Sequence, residues 1–158
     1  MATETERKFR VTSSEWRDEA ISGTTLRQGF LSTDPERTVR VRLMDGEARL
    51  TIKGITKGAT RAEYEYPIPP GDAAEMLDEL CLPGPIEKTR YRVRHAGHIW
   101  EIDVFFGANA GLVIAEIELE SENEEISFPS WVGHEVTGDP RYYNASLAQH
   151  PYREWRER

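Results

Sequence analysis

The feature that most constrains this chain is charge recurring on alternate residues, sorted by sign from one run to the next. Successive side chains of an extended strand point to opposite faces. At the N-terminus, Glu4, Glu6 and Lys8 therefore share one face, opposite Thr5, Arg7 and Phe9. In Arg37 to Leu43, Thr38, Arg40 and Arg42 oppose Val39, Val41 and Leu43; in Ala48 to Lys53, Arg49, Thr51 and Lys53 oppose Leu50 and Ile52. Ala62 to Tyr66 sets Glu63 and Glu65 against two tyrosines. Further on, Lys88, Arg90 and Arg92 share a face, Glu101 and Asp103 oppose Ile102 and Val104, and Glu116, Glu118 and Glu120 oppose Ile117 and Leu119.

These runs, with a short one at Leu26 to Leu31, make about eight strands. Asp45-Gly46 marks a hairpin, and hairpin-like connections dominate, so the sheet is expected to be antiparallel and to close. Thr12-Ser13-Ser14-Glu15 reads as a capping box opening a short helix that ends near Gly23. Asp72, with Glu75 three residues on, starts a second helix carrying Met76, Leu77 and Leu80. An aromatic turn and a short helix follow Asp139, and the Arg-rich end from Arg153 to Arg158 is expected to fray. The predicted architecture is α+β, mostly β: an eight-stranded antiparallel closed β-barrel with a few flanking helices, one domain over residues 1–158.

The formal net charge of -8 argues against general nucleic-acid binding, which needs a basic face. Cys81 is the only cysteine, leaving no intrachain disulfide and no zinc cluster. No apolar run is long enough to span a membrane, and a cytoplasmic protein is the expectation. His95, His98, His134 and His150 lack metal-ligand spacing, Ser13 and Ser14 suit capping, and Glu120 to Glu125 reads as a solvated turn. Trp16, Trp100, Trp131 and Trp155 have the bulk to cover a barrel's exterior.

An ordinary barrel would show its charge to water. The sorting by sign instead suggests charged faces turned inward, lining a wide, wet tunnel, because burying so many charges dry would be prohibitive. Paired carboxylates suit a hard divalent cation, Arg offers phosphate a fork and Lys a point charge. A triphosphate carrying divalent metal meets that demand. Its hydrolysis needs positioning and charge neutralisation more than covalent chemistry.

Glu4-x-Glu6-x-Lys8 resembles the signature of the CYTH superfamily, the triphosphate tunnel metalloenzymes. The resemblance continues through Leu26-Arg27-Gln28-Gly29, Val39-Arg40-Val41-Arg42, Leu50-Thr51-Ile52-Lys53, Glu63-Tyr64-Glu65 and Glu87-Lys88-Thr89-Arg90-Tyr91. It extends to Glu101-Ile102-Asp103-Val104, Glu116-Ile117-Glu118 and Asp139-Pro140-Arg141-Tyr142-Tyr143-Asn144. The chain looks most like short bacterial members that hydrolyse inorganic tripolyphosphate. The resemblance implies an eight-stranded tunnel and dependence on Mg²⁺ or Mn²⁺, with two ions in a two-metal scheme. By position, Glu4, Glu6, Glu63, Glu65, Glu116 and Glu118 are the implied metal and water side, with Asp103 assisting. Lys8, Arg40, Arg42, Lys53, Lys88 and Arg90 are the implied phosphate grips. Glu4, Glu6 and Lys88 are the expected catalytic residues. There is one departure. Several bacterial members carry Tyr after the Gln-Gly pair, thought to act with the lysine matching Lys88; here Phe30 stands there, and a phenyl ring donates no hydrogen bond.

The expected function is therefore metal-dependent hydrolysis of inorganic tripolyphosphate to phosphate and pyrophosphate by metal-activated water. The alternatives are nucleoside or thiamine triphosphate hydrolysis, adenylate cyclase chemistry, or a non-catalytic triphosphate- or polyphosphate-binding module. The expected partner is a small-molecule triphosphate, without nucleic acid or membrane, the protein being a monomer or homodimer.

Overall fold

A computed structural model describes residues 2–155. Nine strands run in chain order as β1 (Thr3–Val11), β2 (Ala20–Ser32), β3 (Thr38–Met44), β4 (Glu47–Lys53), β5 (Thr60–Ile68), β6 (Ile86–His95), β7 (His98–Phe105), β8 (Val113–Glu118) and β9 (Val132–Glu135). The helices are α1 (Pro70–Glu79) and α2 (Asn144–Gln149). Around the sheet the order is β5-β4-β3-β2-β6-β7-β8-β1, and β1 pairs back onto β5. Eight antiparallel strands thus close a barrel, as expected. Closure rests on three residues, Thr3 to Thr5, set against Ala62 to Thr60. The short β9 extends the sheet along β1, with Val11 opposite Val132.

Two tight turns have the left-handed backbone that primed hairpins require: Asp45-Gly46 (φ 52° and 75°) and Ala96-Gly97 (φ 48° and 83°). The expected first helix is instead a single 3-10 turn over Glu15–Glu19. Strand β2 begins directly at Ala20 and pairs with β6, Thr24 opposite Arg90. The Ile-Ser-Gly-Thr-Thr stretch favours extension over helix. Gly23 does not stop a helix; it sits against Tyr91, whose ring would lie 2.7 Å from an added Cβ. Helix α1 starts at Pro70, with Asp72 in its first turn and no side-chain cap.

Apolar residues pack outside the barrel on two sides. Phe9, Val93, Trp100, Ile102, Ala115 and Ile117 lie under Trp16 and Trp131, and Val41 and Ala48 lie under Ala73 and Leu77 of α1. One end of the interior is also apolar. Inward-facing Phe30, Ile86, Phe105 and Ile114 meet Tyr142, Leu147, Ala148, Tyr152 and Trp155 from the C-terminal segment. The tail therefore plugs one end of the barrel. Arg153 lies in a 3-10 turn next to buried Trp155; the rest of the end expected to fray, 156–158, lies outside the described residues.

Candidate active site

Strand order turns the sorted charges into two opposed walls. On one arc, β7, β8, β1 and β5 are neighbours and bring Glu101, Glu116, Glu118, Glu4, Glu6, Glu63 and Glu65 to one cavity. On the other, β4, β3, β2 and β6 are neighbours and bring Lys53, Arg40, Arg42, Lys88 and Arg90. Lys8 and Arg61 project from the acidic arc, and Asn144 reaches in from the tail. The cavity holds about 180 Å³ and its exposed lining is nearly all polar.

The charges bridge from wall to wall. Lys53 Nζ lies 2.8 Å from Glu4 Oε1 and 3.3 Å from Glu63 Oε2, and Arg61 Nε lies 2.9 Å from Glu4 Oε1. Lys8 Nζ lies 3.6 Å from Glu116 and 3.9 Å from Glu6. Arg40 Nη2 approaches Glu65 at 3.6 Å, and Thr51 Oγ1 accepts from Arg40 while donating to Glu65. Asp103 is placed differently from the other carboxylates. It is fully buried, accepting from Lys88 Nζ at 2.7 Å and from Arg90 Nε and Nη2 at 2.8 and 2.9 Å.

The remaining imbalances have the sign that a metal–polyphosphate guest would relieve. Burial, then repulsion from Glu116 and Glu4, pushes the Glu6 carboxyl up to about 7. Burial and a hydrogen bond with Glu4 raise Glu63 to about 7. Burial also opposes ionisation of Glu4, but Lys53 and Arg61 outweigh it and hold that carboxyl well below the usual range. On the basic wall, burial and then Arg40 and Arg90 lower Arg42 to about 9. Burial lowers Lys88 to about 7, against the pull of Asp103. Arg40 Nε is buried without a hydrogen-bond acceptor among the described residues.

Among the described residues, no three Asp, Glu, His or Cys side chains converge tightly enough to hold a metal as they stand. Their chemistry nonetheless fits a hard cation. The donors are all oxygen, and Glu6 and Glu63 are crowded by like charge that a divalent ion would neutralise.

Thirteen of the predicted positions thus fall within one structure: twelve line the cavity, and Asp103 sits beneath Lys88 and Arg90. Four residues given no site role from sequence join them. Arg61 has the parity of Glu63 but lies just before the strand boundary expected at Ala62. Thr51 shares the face of Lys53. Gln28 lies on the inner face of β2, and Asn144, part of the Asp139 to Asn144 motif expected to dock the tail near a tunnel mouth, reaches the cavity itself. Phe30 is buried in the apolar plug and also lines a second cavity of about 340 Å³ with Ile55, Pro140 and Tyr143. That cavity shares Arg40, Lys53, Arg61 and Asn144 with the charged one.

The CYTH domain model matches residues 2–152. The chain belongs to the CYTH domain family. Across 157 residues it is 46% identical to an inorganic triphosphatase of Acetivibrio thermocellus, covering 99% of this chain and 100% of that protein. It is 38% identical over 150 residues to an inorganic triphosphatase of Nitrosomonas europaea, covering 92% and 97%. A solved inorganic triphosphatase structure is 37% identical, covers 94% of this chain and 95% of its own, and superposes with a TM-score of 0.67. Within the CYTH fold, the described residues include no helix long and apolar enough to cross a membrane.

Proposed function

We propose that this chain is a divalent-metal-dependent triphosphatase that hydrolyses inorganic tripolyphosphate to phosphate and pyrophosphate. The observation that carries the reading is the pair of opposed arcs, carboxylates on β7-β8-β1-β5 and cations on β4-β3-β2-β6, facing one cavity inside a closed barrel. A polyanion alone would be served by the cations; the facing carboxylates account for a cation bound with it. Two relatives called inorganic triphosphatases match nearly the full chain and support the same substrate.

In this reading Lys8, Arg40, Arg42, Lys53, Lys88 and Arg90 grip the phosphate oxygens. Glu4, Glu6, Glu63, Glu65, Glu116 and Glu118 hold Mg²⁺ or Mn²⁺, two ions in the fullest scheme. When bound, the metal neutralises phosphate charge and acidifies the attacking water. Water adds to a terminal phosphorus, the P–O bond to the bridging oxygen breaks, and pyrophosphate leaves. Lys88 offsets the charge growing on the leaving oxygen. Asp103, its oxygens already taken by Lys88 and Arg90, orients these two cations. With Phe30 in place of the tyrosine, this reading leaves relief of the leaving oxygen's charge to Lys88 alone. The reading treats residues 1–158 as one tunnel domain, acting in the cytoplasm as a monomer or homodimer.

A second reading, hydrolysis of an organic triphosphate, is favoured by the more apolar 340 Å³ cavity that shares Arg40, Lys53, Arg61 and Asn144 with the charged one. Phosphate release from tripolyphosphate, ATP and thiamine triphosphate, with Mg²⁺, Mn²⁺ or EDTA, separates the two. Metal-dependent release fastest from tripolyphosphate, lost in Glu4→Gln/Glu6→Gln, is expected. Faster release from either organic substrate moves the assignment to the second reading. Tight binding with no release leaves a non-catalytic binding module.

A further inference from the structure

We infer that Gln28 is a positioning residue that aligns two cationic grips at once, Arg42 on β3 and Lys88 on β6. This inference rests on the triphosphate reading above and deepens it. Strand β2 lies between β3 and β6, and Gln28 stands directly across from Arg42. Gln28 is fully buried. Its Oε1 accepts from Arg42 Nε at 2.9 Å, and its Nε2 donates to Asn144 Oδ1 at 2.7 Å. The same Asn144 oxygen accepts from Lys88 Nζ at 2.9 Å.

The direction of every bond in this chain is fixed by chemistry. A guanidinium only donates, so the Gln28 amide must turn its oxygen to Arg42 and its NH₂ to Asn144. An ammonium also only donates, so Asn144 must present its oxygen to both Lys88 and Gln28. Reversing either amide would set donor against donor or acceptor against acceptor inside the protein. Gln28 and Lys88 therefore fix together which way Asn144 faces, and Gln28, through Asn144, helps to hold the Lys88 ammonium that Asp103 also binds. It also holds Arg42 by Nε and leaves the two terminal nitrogens, themselves a fork, for the ligand. One buried amide thus ties together two strands and the C-terminal segment, residues 116 positions apart in sequence.

The test is a double-mutant cycle read by binding and by kinetics. Calorimetry with tripolyphosphate in EDTA measures the grip without metal or turnover. Gln28→Met and Arg42→Met are each expected to weaken binding about tenfold, and the double variant no more than about twofold further, because Gln28 acts through Arg42. A purely structural role would make the two losses multiply, to about a hundredfold, and would overturn the inference. So would unchanged affinity in Gln28→Met, or no tripolyphosphate binding by the wild type. With Mg²⁺ present, Gln28→Met is expected to lower kcat as well as raise KM, since Asn144, the second acceptor of Lys88 beside Asp103, loses the donor that helps to hold it; a change in KM alone would refute the Lys88 arm. If Gln28→Met does not fold, Gln28→Asn, whose amide is one methylene too short for both partners, takes its place in the cycle. Wild type that binds tripolyphosphate but releases no phosphate sinks the hydrolase reading while the calorimetric cycle still decides the alignment of Arg42.

Discussion

Removing the negative charge beneath Lys88 should cost the protein several kcal/mol, about 3–5, of stability. Asp103 is wholly buried, Lys88 is 1% exposed at the side chain, and the two meet at 2.7 Å. Arg90 shares the same carboxylate at 2.8 Å. Asp103→Asn keeps the shape but supplies one acceptor oxygen where three donor contacts now converge, so its NH₂ must face a donor. Arg90 retains Glu116 and Glu101 at 3.4 and 3.5 Å, whereas Lys88 keeps no carboxylate within ion-pair distance among the described residues and holds the neutral oxygen of Asn144 and the face of the Phe105 ring. Burial lowers Lys88 to about 7 even with Asp103 in place, so in mildly acidic buffer, where the ammonium keeps its proton, stranding one partner of the buried pair costs about 3–5 kcal/mol. At roughly 2–4 °C per kcal/mol for a chain of this size, the melting temperature should fall by about 6–20 °C. Differential scanning calorimetry in EDTA, without phosphate, is the assay. Adding Lys88→Met removes the stranded ammonium, so the double variant should melt above Asp103→Asn alone. An Asp103→Asn protein within about 1 kcal/mol of wild type, or a double variant no more stable than the single one, would refute the argument from uncompensated charge.

Three further outcomes follow from the same geometry. Glu6 and Glu63 are raised to about 7, so the folded protein holds protons that the unfolded chain has released above the ordinary carboxylate range. Their contribution is present at low pH and is lost as pH rises toward 7: thermal melts in EDTA should fall from about pH 5.5 to 7, Glu6→Gln should flatten that decline, and saturating Mg²⁺ should remove it. Arg42→Lys replaces a planar fork by a point charge and should weaken tripolyphosphate binding about tenfold, or about 1.4 kcal/mol, by calorimetry; unchanged affinity would take Arg42 out of the phosphate site. Leu147→Ala opens the fully buried plug contributed by α2 and should cost about 2–5 kcal/mol in urea unfolding, with a loss below 1 kcal/mol showing that the tail is not packed as described.

The strand faces were more legible in the sequence than the helices around them, and the reason is parity. A strand boundary misplaced by two residues leaves every side chain on its assigned face, whereas helix limits depend on single capping residues. Glu63 and Glu65 were placed correctly on one face although β5 begins at Thr60, two residues before the expected start, and that same displacement hid Arg61. The first helix failed because the capping box at Thr12 to Glu15 opens only a 3-10 turn. Only the pairing of β2 with β6, which is long-range, decided the matter, and Ile21 came out exposed.

What parity does not carry is which strands become neighbours, and there the chemistry supplies a reason of its own. Cations gathered on adjacent strands repel one another, as the lowering of Arg42 by Arg40 and Arg90 records. Such an arrangement is stable only if something on the same wall spaces and aims them. On the acidic side of that boundary the spacer is charged: Asp103 separates Lys88 from Arg90 and binds both. Between β3 and β6 another carboxylate would neutralise the grips meant for the ligand. The neutral amides of Gln28 and Asn144 space Arg42 from Lys88 without lowering the positive charge that the cavity presents. An interior built to hold a polyanion therefore needs neutral polar residues as much as it needs arginines, and a sequence reading keyed to charge passes over them.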